Sequence, residues 1–222
     1  MRPELRPLVK KLSLEHTEIN GLSVHSAVEG DVEIVATTTG IGTEAATTAA
    51  QRMLDAVEVD RIIVVGIAGG IPPHVTLGDL VIPEVVVDAA SGKELRPVTL
   101  GAIPADGRLV TSDEFHVDEE KITQLSRSGV TAVDMETASV GLVCEARGIP
   151  WSTFRSISDM AGDTDTEVLG LAGMEGNPNV GAVLRYLAPK PWRIRYLVKL
   201  AKDSVRAADI AASAAVAACR SL

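Results

Sequence analysis

Two segments of the chain that have the pattern of buried strands end in carboxylates suited to acid–base chemistry. The run VTAVDM (130–135) passes into a helix at Glu136, and WSTFRSIS (151–158) is followed directly by Asp159. Because strand ends of βαβ units meet at one edge of a sheet, we expect Glu136 and Asp159 to share a crevice. When two carboxyl groups share a crevice, one can remain protonated and act as an acid while the other is ionised.

Asp134 and Arg155 each have a simpler structural explanation. An acid at the start of a helix usually caps free backbone N–H groups or faces the positive end of the helix dipole. We therefore interpret Asp134, taken alone, as a helix cap. Arg155 lies within the strand 151–158, where a cation would pair with an internal acid.

Two glycine clusters also follow predicted strands. The run Gly40-Ile-Gly42-Thr-Glu-Ala45 matches a dinucleotide-binding fingerprint. That site also requires an acid at the end of the next strand, and RIIVVG (61–66) ends in glycine, so we reject NAD binding. The second cluster, Gly66, Gly69 and Gly70, indicates either a tight turn where the backbone needs a positive φ or close packing, or a floor across which a sugar or a water approaches the backbone.

The elements that must position these residues alternate between strands and helices. A short helix is predicted from Pro3. Strands are predicted at 22–28, 32–38, 61–66, 79–87, 108–111, 130–135 and 151–158, and further helices at 43–57, 117–127, 136–147, 179–187 and from Trp192 towards Arg220. This order predicts an α/β fold, a three-layer α/β/α sandwich with a central mixed, largely parallel sheet in a single domain over 1–222.

Composition excludes several classes of protein. The chain has 222 residues, 46% of them hydrophobic, which is not the composition of a disordered protein. Its net charge of −9 disfavours general nucleic-acid binding. The longest apolar runs, 62–71 and 210–219, are too short for an integral membrane segment. The charged start MRPELRPLVKKL predicts no signal peptide.

Cysteine and histidine usage points to a reducing compartment and to no metal site. Cys144 and Cys219 lie in helical patterns and are predicted to be reduced, as in a cytoplasmic protein. The four histidines form no pair at a spacing typical of metal ligands: His16, His25, His74 and His116. We expect neither a metal nor a cofactor.

The segment from Arg185 to Arg206 is strongly basic. Seven basic residues and one acid, Asp203, lie between Arg185 and Arg206. At helical spacing an apolar stripe lies beside four of these cations; its members are Ile194, Leu197, Val198, Ala201, Val205 and Ala208. We favour a helix packed on the domain with a solvated basic face. The alternative is a helix that contacts an anionic membrane surface.

Several segments together resemble a known family. AVDMETASVGLVCEARGIPWSTFRSISDMA (132–161) is similar to the signature of the purine nucleoside phosphorylase/nucleosidase superfamily, and most similar to methylthioadenosine/S-adenosylhomocysteine nucleosidases. TGIGTEAA (39–46), VVGIAGGI (64–71), LGDLVI (77–82) and TSDEF (111–115) follow in that family's order. RYLAPKPWRIRYLVKLAKDS resembles the tail of a hopanoid-associated nucleoside phosphorylase branch.

The resemblance implies three catalytic residues. Asp159 matches the acid that protonates the purine at N7 as the N-glycosidic bond breaks. Glu4 matches the glutamate that orients the attacking water, and Arg155 lies where it would help to hold that water. The family has a strand before the segment that contains Glu4, so either the protein starts upstream of Met1 or the sheet lacks that strand.

The resemblance also implies a substrate-binding set. Glu136 matches the carboxylate that binds the ribose 2′- and 3′-hydroxyls, Met135 lies along the sugar, and Phe115 matches the ring that stacks on the base. Ser158 and Gly69 complete the predicted set.

The family implies an enzyme acting on a nucleoside, and two positions favour water as its nucleophile. Val64 and Ile67 stand where phosphorylases of this superfamily carry an arginine and a serine that hold phosphate. We therefore expect a nucleosidase that releases adenine from a methylthioadenosine or S-adenosylhomocysteine type of substrate, acting as a homodimer. The alternatives are a phosphorylase, possibly on a lipid-linked nucleoside, and a non-catalytic nucleoside-binding protein.

Overall fold

The computed structural model describes residues 2–114, 118–162 and 193–220. Its helices are α1 (Arg2–Leu12), α2 (Thr43–Ala56), α3 (Glu119–Arg127), α4 (Thr137–Arg147) and α5 (Ile194–Cys219). Its strands are β1 (Glu15–Ile19), β2 (Leu22–Glu29), β3 (Val32–Ala36), β4 (Ile62–Gly70), β5 (Leu80–Val81), β6 (Val85–Asp88), β7 (Glu94–Leu95), β8 (Arg108–Thr111), β9 (Val130–Asp134) and β10 (Trp151–Met160). The predicted helix 179–187 and the predicted start at Trp192 lie outside the described residues.

Seven strands form the main sheet, in the order β5-β10-β4-β9-β8-β6-β7. The pairs β10–β4, β6–β8 and β8–β9 are parallel, while β5–β10, β4–β9 and β6–β7 are antiparallel. The parallel pairings are the longer ones, and β10 with β4 extends from Trp151 and Ile62 to Met160 and Gly70. The prediction of a mixed, largely parallel sheet is confirmed.

Helices cover both faces of this sheet. On one face Ala46 of α2 and Cys144 of α4 are buried with Trp151 of β10. On the other face Ala215 of α5 is buried with Phe154, three residues further along β10. Because side chains alternate along a strand, positions 151 and 154 point to opposite faces. This arrangement is the three-layer sandwich that the sequence predicted. No helix among the described residues has the length and apolar character needed to cross a membrane.

Strand β4 is longer than predicted. The sequence placed its end at Gly66, whereas the structure continues it through Gly69 to Gly70. These glycines have no positive φ, so the tight turn, one of the two alternatives left open by the sequence, is excluded. The segment remains extended because β4 is paired with β10 along its whole length.

The predicted strand 79–87 is two strands. β5 pairs with β10 at one edge of the sheet, and β6 pairs with β8 near the opposite edge. Pro83 lies between them and has no backbone N–H to donate to a ladder. The irregularity predicted at this proline is therefore a change of position within the sheet.

A second, antiparallel sheet contains β1, β2 and β3. Its strands β2 and β3 were predicted, but β1 (EHTEI) was not, because its burial pattern is mostly exposed and it carries no apolar signal. Residues Asn20 and Gly21, both at positive φ, connect β1 to β2, and Glu15 pairs with Ser26 at the far end of the ladder.

The sequence predicted that the strands before Glu136 and Asp159 are neighbours whose ends meet, and this prediction is wrong. Strand β4 lies between β9 and β10, and β9 runs antiparallel to it. The register instead aligns Val133 of β9, Gly69 of β4 and Asp159 of β10 across three strands. Asp159 therefore lies at the end of its own strand but level with the last residues of β9.

Candidate active site

A buried arginine is the centre of the candidate site. Arg155 lies in the middle of β10 and is only 3% exposed. Its Nη2 lies 2.6 Å from Asp134 Oδ2 and 3.7 Å from Glu136 Oε2, and its Nη1 lies 3.9 Å from Glu4 Oε1. Arg155 also donates hydrogen bonds to Thr137 Oγ1 from Nε (3.0 Å) and Nη2 (2.8 Å). One guanidinium thus holds three carboxylates from three different elements.

Asp134 has a larger role than the predicted helix cap. Its carboxylate does accept a hydrogen bond from the Thr137 backbone N–H at 3.2 Å, as a cap would. It also accepts hydrogen bonds from the hydroxyls of Thr111 (2.6 Å) and Thr137, and forms the shortest ion pair to Arg155. The signal in the sequence was Arg155 itself, because a cation within a buried strand requires a buried counter-charge.

Glu4 reaches the same cluster from the first turn of α1. Its Oε1 accepts a hydrogen bond from the Ile67 backbone N–H at 3.0 Å, and its side chain is 12% exposed. Arg155 Nη1 in turn donates to the Ile67 carbonyl oxygen at 3.3 Å. Ile67 therefore contributes to the site through its main chain, while its side chain adds no anion ligand.

Gly66 makes this approach possible. A Cβ atom at this position would overlap both Arg155 Nη1 and Glu4 Oε1. Since Gly66 pairs with Arg155 in the parallel ladder, a side chain here would occupy the space that the guanidinium fills. Close packing was one of the explanations that the sequence offered for this glycine. The structure identifies the packed groups as the side chains of Arg155 and Glu4.

Glu136 lies between a cation and the N-terminus of α2. Its Oε1 accepts a hydrogen bond from the Gly42 backbone N–H at 3.2 Å, and Gly42 has a φ of 95° that favours glycine. Burial raises the pKa of Glu136 to about 7; the charges of Asp134 and Glu4 add to this rise, while Arg155 and the Gly42 N–H oppose it. Both protonation states of Glu136 are therefore populated near neutral pH.

The raised pKa of Glu136 predicts that stability depends on pH. Between the ordinary pKa of 4.5 and the folded value of about 7, the folded state keeps a proton that the unfolded state has lost. This contribution is complete below pH 4.5 and is lost as the pH rises through 7, on the order of 3 kcal/mol. We expect Glu136→Gln to remove that slope, measured as the free energy of urea unfolding at a series of pH values.

An exposed glutamate provides the matched control for this measurement. Glu58 is exposed beyond the end of α2, so Glu58→Gln should retain the pH slope of the parent protein. An unchanged slope in the Glu136→Gln variant would contradict the assignment.

Asp159 and Ser158 lie at the end of β10, beyond Arg155. Ser158 Oγ donates to Asp159 Oδ1 at 2.6 Å and lies 3.4 Å from the Ala68 carbonyl oxygen. Ser158 is 3% exposed, while Asp159 is partly exposed. Gly69 pairs with Asp159, and a Cβ on Gly69 would lie 3.3 Å from Val133 Cγ2. These residues form a second group at the open end of the strand.

Of the remaining predicted site residues, the structure describes Met135 but not Phe115. Met135 is half-buried in the turn between β9 and α4. Phe115, the predicted base platform, lies outside the described residues. The nearby Asp113 accepts a hydrogen bond from the Thr43 backbone N–H at 2.9 Å, so the predicted TSDEF segment reaches the start of α2. Among the described residues, no group of histidine, cysteine, aspartate or glutamate is arranged to hold a metal ion.

The cluster around Arg155 is an acidic site. Three carboxylates around one guanidinium leave an excess of negative charge, which favours a group that develops positive charge. Asp159, with a hydroxyl at 2.6 Å, is placed separately on the exposed end of the same strand. The sequence did not identify Thr111 or Thr137 as parts of this site, because threonine at strand and helix ends usually has a local structural role. It left open whether the glycine cluster that contains Gly66 serves packing or the approach of a sugar.

Comparison with known proteins agrees with this architecture. The family model described as the phosphorylase superfamily matches residues 1–106 and 98–177. The methylthioadenosine/S-adenosylhomocysteine nucleosidase of Tolumonas auensis is 28% identical, over 84% of this chain and 96% of that protein. The aminodeoxyfutalosine nucleosidase of Helicobacter pylori is 27% identical, over 72% of this chain and 83% of that protein.

Solved structures share this fold. The methylthioadenosine/S-adenosylhomocysteine nucleosidase of Campylobacter jejuni has a TM-score of 0.71 and 22% identity, covering 100% of this chain and 96% of that one. The futalosine hydrolase of Helicobacter pylori has a TM-score of 0.72 and 21% identity, covering 100% of this chain and 95% of that one.

Proposed function

This chain belongs to the phosphorylase superfamily, and from that premise we propose that it is a nucleosidase. Its reaction is the hydrolysis of the N-glycosidic bond of an adenine nucleoside, with release of adenine. The proposed substrates are of the methylthioadenosine or S-adenosylhomocysteine type, the substrates named in several of its relatives. No cofactor takes part in the proposed reaction.

The observation that carries this proposal is the carboxylate cluster around Arg155. Cleavage of a ribosyl bond passes through an oxocarbenium-like transition state. Glu136 is proposed to bind the ribose hydroxyls, where its partial ionisation near neutral pH lets it donate or accept a hydrogen bond. The excess of negative charge contributed by Glu4, Asp134 and Glu136 stabilises the developing cation.

Water is the proposed nucleophile. Glu4 is held by the Ile67 backbone N–H and lies 3.9 Å from Arg155 Nη1, a position from which its carboxylate can accept a proton from water. A phosphate dianion at this point would be repelled by the carboxylates that already occupy Arg155. Arg155 is accordingly proposed as a positioning residue that holds Glu4 and Glu136 at fixed distances.

Asp159 is the proposed acid for the leaving base. Adenine leaves more readily when N7 is protonated, and Asp159 lies at the partly exposed end of β10, where a base can reach it. Ser158, which donates to Asp159 Oδ1, orients that carboxyl group. Met135, Phe115 and Gly69 complete the proposed binding set, with Phe115 as the surface on which the base stacks.

The test is chromatography of adenine release. Methylthioadenosine, S-adenosylhomocysteine, aminodeoxyfutalosine and inosine are incubated with the protein, with and without phosphate. We expect adenine from at least one of the first two substrates at a rate that phosphate does not change. Aminodeoxyfutalosine is included because a relative 27% identical to this chain is named as its nucleosidase.

Two results would overturn the proposal. A rate that requires phosphate, with ribose 1-phosphate as product, would identify a phosphorylase. Intact nucleoside after incubation, together with retained binding in calorimetry, would identify a non-catalytic nucleoside-binding protein.

We also propose that the protein acts in the cytoplasm as a homodimer. Both cysteines are free thiols, Cys144 buried and Cys219 half-buried, which suits a reducing compartment. The dimer rests on the resemblance to the family, and light scattering of the purified chain measures it directly.

A further inference from the structure

The first half of α5 has two exposed stripes side by side. Ile194, Val198 and Val205 are 52%, 48% and 57% exposed, and Ala201 lies in the same row and is exposed. The adjoining row contains four exposed cations: Arg195, Lys199, Lys202 and Arg206. At 3.6 residues per turn each row spans about 60° of the helix surface, and the rows extend over roughly 18 Å.

These stripes differ from the face that packs on the protein. Tyr196, Leu197 and Leu200 are half-buried, and Ala207 and Ala208 are buried. Our favoured interpretation placed the whole apolar stripe against the domain. That is correct for Leu197 and Ala208 and wrong for the four exposed members, because they lie on the side of the helix that faces away from the sheet.

We propose that this exposed face of α5 binds the surface of an anionic lipid bilayer. The four apolar side chains enter the headgroup region, and the row of cations beside them contacts anionic headgroups. The helix lies in the plane of the interface, since it does not have the apolar length to span it.

The charge pattern distinguishes this partner from other partners. The segment from Arg185 to Arg206 has a net charge of +6, whereas the rest of the chain has −15, so basic charge is concentrated in this segment. A nucleic acid would use the cations but would leave the valines in water. A second copy in a two-fold contact through this face would place the two rows of cations close together, where they repel each other.

The experiment is sedimentation of the full-length protein with vesicles. Neutral phosphatidylcholine vesicles are compared with vesicles that also contain phosphatidylglycerol, at low and at high salt. We expect binding to the anionic vesicles that weakens as salt rises. Lys202→Gln with Arg206→Gln should weaken binding roughly fivefold for each cation removed, and Val198→Ser with Val205→Ser should weaken it by about tenfold.

The hairpin between β2 and β3 provides the matched control. Val28 and Val32 are 73% and 54% exposed, but their neighbours Glu29 and Asp31 are acidic. Val28→Ser with Val32→Ser should therefore leave vesicle binding unchanged, and each double variant should release adenine at the parent rate.

Three results would overturn the proposal. The first is an absence of sedimentation with anionic vesicles, or equal sedimentation with neutral ones. The second is anionic binding that the α5 valine pair does not affect, which would mean that the cations act alone. The third combines two observations: the parent protein binds no vesicles, and the mass measured by light scattering is lower for the α5 valine variant than for the parent. That result would identify a second copy of the chain as the partner.

Discussion

Replacement of Asp159 by asparagine is expected to lower kcat for adenine release by roughly 10²–10⁴-fold. The amide keeps the shape of the side chain and can still accept the hydrogen bond that Ser158 donates to the carboxylate at 2.6 Å. It cannot deliver a proton to the leaving purine. Because proton transfer belongs to the bond-breaking step, kcat should fall while KM changes little. Steady-state kinetics with methylthioadenosine measures both constants.

Asp88 is the matched control for this variant. It also ends a strand, β6, is 9% exposed, and accepts a hydrogen bond from the Ser91 backbone N–H at 3.1 Å. Asp88→Asn should therefore leave kcat close to that of the parent protein. If Asp159→Asn retained most of the parent kcat, or lost activity only through a higher KM, Asp159 would not be the acid.

Replacement of Asp134 by alanine is expected to lower the free energy of unfolding by about 3 kcal/mol or more. Asp134 and Arg155 form a 2.6 Å ion pair in which the two side chains are 2% and 4% exposed. Without the carboxylate, the guanidinium loses its nearest counter-charge, and the Thr111 hydroxyl and Thr137 N–H lose an acceptor. Urea unfolding followed by circular dichroism measures the loss.

An exposed ion pair of the same length is the control. Arg147 Nη2 also lies 2.6 Å from its partner, Asp55 Oδ1, but the two side chains are 35% and 66% exposed. Asp55→Ala should cost at most about 1 kcal/mol, since water solvates both charges when the pair is broken. Equal losses in Asp55→Ala and Asp134→Ala would show that burial does not decide the strength of the Asp134–Arg155 pair.

The loss of Asp134 should also affect Glu136. The negative charge of Asp134 is one of the causes that raise the pKa of Glu136, so its removal should lower that pKa. The pH slope of stability attributed to Glu136 then moves to lower pH in Asp134→Ala. This shift links the ion pair to the protonation of Glu136, the carboxylate proposed to bind the ribose hydroxyls.

Most of the fold was predictable because its signals are local. The β-branched run at 61–66 and the Ala-rich segment at 43–57 correspond to β4 and α2, each element showing its own periodicity. Local periodicity did not predict β1, which is polar and exposed. It also ended β4 too early, because glycines at that point suggest a turn. Pairing with β10 keeps those glycines extended, and no local pattern reports a partner about ninety residues away along the chain.

The candidate site was predictable only in part. Glu4, Glu136 and Arg155 were selected from the sequence, and the structure places all three in one cluster. The reason offered for Glu136 and Asp159 was wrong, because β9 is antiparallel to β4 and does not end beside β10. Strand direction depends on the whole topology of the sheet, so a rule based on strand ends does not predict how Glu136 and Asp159 lie relative to each other.

The sequence by itself determined the approximate positions of most helices and strands, because side-chain periodicity and helix or strand preference are properties of short segments. It also determined that one end of the protein is basic. The tertiary structure alone decided that Asp134 is a buried counter-ion as well as a cap, that Gly66 must lack a side chain, and that four of the six residues in the apolar stripe on α5 face outward. Burial and ion pairing depend on atoms that are distant in the chain, so only the folded arrangement of α1, β4, β9 and β10 brings those atoms together.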